Sequence, residues 1–535
     1  MHRWVGLFAS LIGMLVFFSG AVATFHEEID SWASRGERTV AVSAVPGFSL
    51  DAAVAKAAEG VPEAYRHQVD IRQGEGRPLF LFFHEHDNRD GTIQERGVAK
   101  ELDPASLEVL AHREGDRQAV FADSPIHQLA RFFIELHIFL LMPRNLGLTA
   151  VGVTGFALMV LICTGTLVHR PTAAKLFRWP RGLGRRGFGD LHTLVGLWTL
   201  PYTAILALTG TFFAFAGTVL IPVIAMVAFG GDQEELVRTV IGEVEVSESA
   251  EVATLDPIYA DAMARSGGAE LEAVGLDQWT EPGANATVSL VRRSTLGDTR
   301  LNYVYDGHTG EFLFERPSLG RVPSLGGTLV QLMGDLHFGT LLGFVTKVLW
   351  GLFGLATCAL AGAGLTIYVL RQPEDRWGTR FVRVMTILLG GGVPLASAAT
   401  ALAWVAGCAA GLSDVEPVMT MAFLATLVLS GGLGGLRSFT AAMASAWAVT
   451  GIGLIGLVIA APLATGLSLP QVWADTSLRE TLWMDGTLVV LGGILVAIAI
   501  VTFRMGRQAQ PVAPKAESGA DYDDLPDAMV AREAW

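Results

Sequence analysis

Four histidines stand at matched places in two copies of one sequence pattern, and imidazole is a common ligand of haem iron and of other metals. After His2 come Gly6, Gly20 and Phe25; after His192 come Gly196, Gly210 and Phe215 at the same offsets. A second pair follows the first: His137 precedes Gly155 and Gly165, and His337 precedes Gly354 and Gly364 with the same interval between the glycines. The chain is therefore read as an internal duplication. Spacing alone leaves the bound species open between haem and another metal, and the simpler alternative is that the rings are amphipathic anchors at a membrane surface.

The elements that must position these residues are membrane helices. The chain of 535 residues is 51% hydrophobic and only 17% charged, a composition outside the soluble and disordered classes. Apolar runs long enough for a bilayer core of about 30 Å lie near 4–24, 146–168, 194–228, 339–370, 384–411, 417–436, 439–466 and 485–503. They predict about eight spans, with the count least certain across 417–466. Arginines and a lysine crowd 170–189, and four arginines crowd 371–383, which puts both loops and both termini on the cytoplasmic side. Segments 25–145 and 229–338 then face the periplasm of a bacterium. The net charge of −14 argues against a nucleic-acid partner.

The resulting organisation is a first helix (1–24), an outer module with an interfacial helix (25–145), two helices joined by a basic loop (146–228), a second outer module (229–338), a fourth helix (339–370), C-terminal helices (384–503) and a cytoplasmic tail (504–535). Each outer module reads as α+β: Ser49 precedes a small-residue helix, and QVDIRQ, RPLFLFFHEH, LEAVGLDQW, ATVSLVRR and RLNYVYDGHTGEFLFE alternate as strands. Cys163, Cys358 and Cys408 all fall in apolar runs, as small hydrophobes would. Ala21-Val22-Ala23 closes the first run in the manner of a cleavable signal, whose removal would take His2 away. Recurrence of the same pattern at 192–215 favours an uncleaved helix.

The HRWVGL opening, FHEEID at 25–30, DGHTGE at 306–311 and the DLH openings at 190–192 and 335–337 resemble the PepSY-associated transmembrane family. The likeness covers about residues 1–375. It implies a membrane all-α helical bundle, its first four helices a duplicated unit, carrying two α+β PepSY-like periplasmic modules. Family members include iron-regulated inner-membrane proteins and ferric-siderophore reductases containing haem b, so the resemblance selects haem among the metal centres that imidazole can bind.

At 1.5 Å per residue the first helix places His2 at the cytoplasmic boundary, with His192 beside it in the repeat; His137 and His337 fall at the outer boundary. Two haem b groups, one per pair, are expected. His169 competes for the inner site, because its repeat counterpart is Tyr368. His26 and His127 are substitutes for a member of the outer pair, and His84 with His86 forms half of a metal site on one strand face. Gly20, Gly165, Gly210 and Gly364 would admit either a porphyrin face or a neighbouring backbone. The GLGRRG run at 182–187 lacks the strand and helix of a dinucleotide site, so electrons must come from a quinol or a cytoplasmic reductase. The leading expectation is an inner-membrane di-haem b conduit that reduces a ferric siderophore or chelate on the periplasmic side, with membrane lipid as its surround. The rival is a non-enzymatic membrane protein whose outer modules bind a ligand or partner.

The charge bias carries the topology. Periplasm-dependent reporters fused after Asp87 or Gly307 are expected to be active, and fusions at Arg181 or Arg376 silent; the reverse pattern would invert the sides assigned to every histidine.

Overall fold

Backbone in lipid must satisfy its own hydrogen bonds, so the apolar runs become helices. The computed structural model describes residues 2–508 apart from 75, 90–91, 122–123, 169–175, 178, 181–184, 233–235, 237–251, 280, 295–296, 318–319, 321, 374–375 and 437. The first half runs α1 (His2–Ala23), α2 (His26–Ala33), α3 (Leu50–Ala58), strands β1 (Gln68–Arg72), β2 (Leu79–Arg89), β3 (Thr92–Leu102) and β4 (Val109–Asp116), α4 (Gln128–Phe139) and α5 (Arg144–Val168). The second repeats the order as α6 (Arg185–Phe215), α7 (Leu255–Ser266), β5 (Glu270–Asp277), β6 (Asn285–Arg292), β7 (Thr299–Asp306), β8 (Phe312–Arg316), α8 (Leu325–Phe338) and α9 (Phe344–Val369). Helix α6 continues through a π-turn, Ala216–Leu220, into Ile221–Phe229.

Helices α1, α5, α6 and α9 form a bundle in which α1 packs on α9 as α5 packs on α6. Small residues let these pairs close up. A Cβ at Gly354 of α9 would lie 2.9 Å from Ala21 Cβ of α1, while one at Gly155 of α5 would strike the Thr211 hydroxyl of α6. The matched glycines thus do matched packing.

The sequence treats 25–145 and 229–338 as separate modules, but they form one domain. A single antiparallel sheet runs β4-β3-β2-β1-β5-β6-β7-β8, and β1 pairs β5 from Val69↔Leu276 to Arg72↔Ala273. Edge-to-edge pairing removes one open edge from each module. Helices α3 and α7 cover one apolar core with Ile71, Leu81, Val274 and Val288. Their N-termini cap each other. Asp256 accepts from the Leu50 and Asp51 amides at 2.6 and 3.1 Å, while Asp51 accepts from the Leu255 and Asp256 amides, both at 2.9 Å. Helix N-termini leave amides without partners, and each module supplies the acid that the other needs.

The remaining chain is α10 (Trp377–Ile387), a π-turn at Leu388–Gly392, α11 (Val393–Ala409), α12 (Glu416–Leu436), α13 (Phe439–Ala460) and α14 (Leu482–Gln508). The Trp447 indole N–H fills the carbonyl of Gly390 in that π-turn at 2.9 Å, a group that widened helix geometry leaves for an outside donor. Glycines bring α13 and α14 into backbone contact: a Cβ at Gly492 would lie 2.6 Å from Gly451 O. Among the described residues, seven helical segments are long and apolar enough to cross a membrane, and the apolar part of α12, Glu416–Gly432, is shorter. Helix α12 as a whole runs 21 residues, Glu416–Leu436, over the expected run 417–436.

Reciprocal capping predicts that Asp51→Ala or Asp256→Ala lowers the unfolding free energy of the sheet domain by about 1 kcal/mol. Asn at either position should cost less, since it also caps. Denaturant titration followed by a probe in the sheet checks this, and equal stability of the Ala variants would show that the caps contribute nothing.

Candidate functional site

Each repeat-matched histidine lays its ring on a glycine of a neighbouring helix and bonds Nδ1 to an oxygen of that helix. His2 of α1 lies over Gly165 of α5, His192 of α6 over Gly364 of α9, His137 of α4 over Gly20 of α1, and His337 of α8 over Gly210 of α6. The repeat relation holds throughout: α1 is to α5 as α6 is to α9. A methyl group would not fit comfortably. Cβ atoms at Gly20, Gly165, Gly210 and Gly364 would lie 2.8, 3.2, 3.3 and 3.3 Å from the respective Cε1 atoms. Within the protein, what approaches these glycines is an imidazole rather than a neighbouring backbone.

The oxygens decide the tautomer. Nδ1 of His137 lies 3.0 Å from Val16 O, and Nδ1 of His192 lies 3.0 Å from Leu360 O. A carbonyl only accepts, so both nitrogens carry the proton. For the other two the partners are hydroxyls whose own protons are committed elsewhere. Thr164 donates to Val160 O at 2.8 Å and accepts from His2 Nδ1 at 3.0 Å; Thr209 donates to Ile205 O at 2.8 Å and accepts from His337 Nδ1 at 3.0 Å. In His137 and His337 this makes Nε2 the unprotonated nitrogen, the form in which an imidazole binds a metal. Sequence reasoning missed Thr164 and Thr209. A hydroxyl precedes the glycine in Ser19-Gly20, Thr164-Gly165 and Thr209-Gly210, a signal available to inspection.

The histidines form two pairs. Ring centres of His137 and His337 are 6.4 Å apart with planes at 36°. An atom held between two imidazole nitrogens at about 2 Å each, with each nitrogen roughly 1 Å from its ring centre, separates the rings by roughly 6 Å. Apolar surroundings push both imidazole pKa values down, that of His337 to about 3 with help from His137. Both rings therefore stay in the neutral, ligating form at physiological pH. His2 and His192 line one cavity of about 180 Å³ with Gly6, Gly13, Phe17 and Thr357. His2 and Gly20 mark the two sites on α1, as His192 and Gly210 do on α6, so roughly 27 Å along the helix axis separates them at 1.5 Å per residue.

Among the described residues no cluster of three or more His, Cys, Asp or Glu side chains could hold a metal ion. A metal bound by protein alone needs about four ligands, whereas a porphyrin brings its own equatorial set and asks for axial ligands only. Paired histidines fit that demand.

Other candidates separate from the pairs. His169 lies outside the described residues. His127 Nδ1 is 2.8 Å from Asp30 Oδ1; burial would raise that carboxyl's pKa, but His127 and Arg77 hold it below the usual range. His26 turns back to Ala23 O at 3.0 Å. Neither takes the place of His137 or His337. His84 is buried and stacks on Phe82 at 4.5 Å, and the side chain of His86 is outside the described residues.

These features define a multi-pass membrane protein with a duplicated four-helix core that seats four histidines, two at each of two depths, and with one shared sheet domain. The chain belongs to the PepSY-associated transmembrane family, whose PepSY-associated TM region matches residues 1–371. It is 26% identical over 392 residues to the uncharacterized protein PA4219 of Pseudomonas aeruginosa, covering 69% of this chain and 93% of that relative. Helices α10–α14 follow the matched region.

Gly20→Ala is expected to displace the His137 ring, while Gly6→Ala, whose Cβ would meet Leu161 at an ordinary 3.6 Å, leaves every ring in place. Nitrogen NMR of histidine-labelled protein reads this directly. An unmoved His137 signal in Gly20→Ala would refute the seating role.

Proposed function

We propose that the protein is a di-haem b electron conduit that reduces ferric iron, held in a siderophore or other chelate, on the sheet-domain side of the membrane. The observation that carries this reading is the shared seating of four histidines, each laid on a glycine with Nδ1 bonded to an oxygen of the neighbouring helix, with the rings of His137 and His337 brought together at 6.4 Å. His137 with His337, and His2 with His192, are the residues that would hold the two groups. Haem held in this way supplies reversible one-electron chemistry.

The protein's own residues would set the conditions for that chemistry. Nδ1–H donation to Val16, Leu360, Thr164 and Thr209 raises the basicity of each ligating nitrogen and keeps the ring from turning. Apolar and small side chains exclude water, which tunes a redox centre through the local dielectric. Between the two depths stands a run of aromatic rings. Phe17, on the cavity wall, is 6.4 Å from Tyr202; Tyr202 is 5.4 Å from Trp350; and the Trp350 indole donates to Leu336 O, next to His337, at 2.7 Å. The substrate would lie by the sheet domain, where reduction releases iron because hard siderophore oxygens favour Fe(III) over Fe(II). The electron donor would be a membrane quinol or a cytoplasmic reductase at the opposite face.

Purified protein is expected to carry about two b-type haems per chain, with His137→Ala or His337→Ala losing one and His2→Ala or His192→Ala losing the other. Dithionite-reduced protein should be reoxidised by a ferric chelate with Fe(II) appearing in a ferrous trap, and outer-ligand variants should fail this while their inner haem remains reducible. Tyr202→Leu should keep both haems and slow reoxidation from the inner side. A colourless protein would transfer the assignment to a binding or regulatory membrane protein.

A further inference from the structure

We infer that helices α11–α14 are a clamp that positions His137, acting on one of the two outer histidines and not on its repeat counterpart. What the histidine binds rests on the proposed function; the clamp rests on the contacts of α4 alone.

Helix α4 has only 12 residues, too short to be stable without tertiary packing. It packs on α1, α2 and α5, and side chains of the C-terminal helices close over it from the other side. Leu129, Phe132, Phe133 and Leu136 join Trp404, Met419, Phe423 and Leu457 in one apolar cluster, with Phe132 5.8 Å from Phe423. Polar contacts set the register. Gln128 Oε1 accepts the amides of Val415 and Glu416 at 2.9 and 3.0 Å, capping the start of α12, and the Trp404 indole donates to Pro125 O at 3.0 Å. A buried acid adds a second tie: Asp485 of α14 accepts from the Trp32 indole and from Arg35, both at 2.8 Å, which fastens the segment after α1 to the same helices.

The end of α4 needs this support. Leu140 and Leu141, directly after the His137 turn, have φ of 55° and 56°, a left-handed conformation that branched side chains adopt at a cost. The cost persists only where surrounding contacts hold the chain there. His137 must meanwhile keep its ring against Gly20, the tightest of the four seats.

Helix α8, which carries His337 in the second repeat, has no buried residue; Leu325, Leu329 and Phe338 are exposed. Nothing among the described residues covers α8 as α11–α13 cover α4. The duplicated site is therefore held unequally, with His137 fixed by the extension that follows the family region and His337 by Thr209 and its own turn.

The test uses the full-length chain with Gln128→Ala, Trp404→Ala and the milder Trp404→Phe, which keeps the ring and removes the N–H. In haem-free protein, amide hydrogen exchange across 128–139 should rise by about tenfold or more in the Ala variants, with 325–338 unchanged. In haem-loaded protein the midpoint potential and low-spin EPR signal of one haem should shift while those of the other stay. Unchanged exchange across 128–139 overturns the clamp, as does an equal rise across 325–338, which would mark general loosening. Protein without haem overturns the proposed function, while the exchange result still decides the clamp.

Discussion

The hydrogen bond from each histidine Nδ1 to an oxygen of the neighbouring helix, made across a glycine, is the constraint around which the bundle is built. It requires that the helix carrying the ring and the helix carrying the glycine stay within contact distance, so it sets which helices are neighbours as well as which nitrogen can ligate. Glycine is required because the ring lies where a Cβ would be. An oxygen is required because an imidazole with neither proton committed would exchange tautomers and rotate. Two of the oxygens are backbone carbonyls and two are threonine hydroxyls, yet the outcome is the same, because the threonine protons are already given to carbonyls one turn earlier.

Duplication makes this arrangement economical. A single histidine-and-glycine pattern, repeated once, generates four seats, two within each copy, and packing of the copies brings the His137 and His337 rings together. The sheet domain obeys the same symmetry: β1 and β5 join the modules at the centre, and Asp51 and Asp256 exchange caps across the same axis.

The symmetry ends at the C-terminal helices. Their contact with α2 and α4, through Trp32, Arg35, Gln128 and Asp485, has no matching contact on α8 among the described residues. A buried ion pair such as Arg35–Asp485 is a weak source of net stability but a strong one of geometry, because separating the partners leaves an uncompensated charge. It suits a unit whose place, more than whose own stability, matters.

Much of this could be read from residue order. Apolar length predicts the helices because lipid offers the backbone no alternative partner, and the offsets from His2 and His192 reveal the duplication because equal spacing on equal helices gives equal depth. The family also follows from short segments of the first 375 residues. Three things depended on distant parts of the chain meeting. The outer modules merged because strand alternation identifies β1 and β5 but says nothing of their partners. The glycines received imidazoles, which spacing along one helix cannot show when ring and seat belong to different helices. His127 was drawn to Asp30 and His84 to Phe82, whereas His137 and His337 came within 6.4 Å: a histidine's chemistry is set by what folding brings beside it, and those neighbours are distant in sequence.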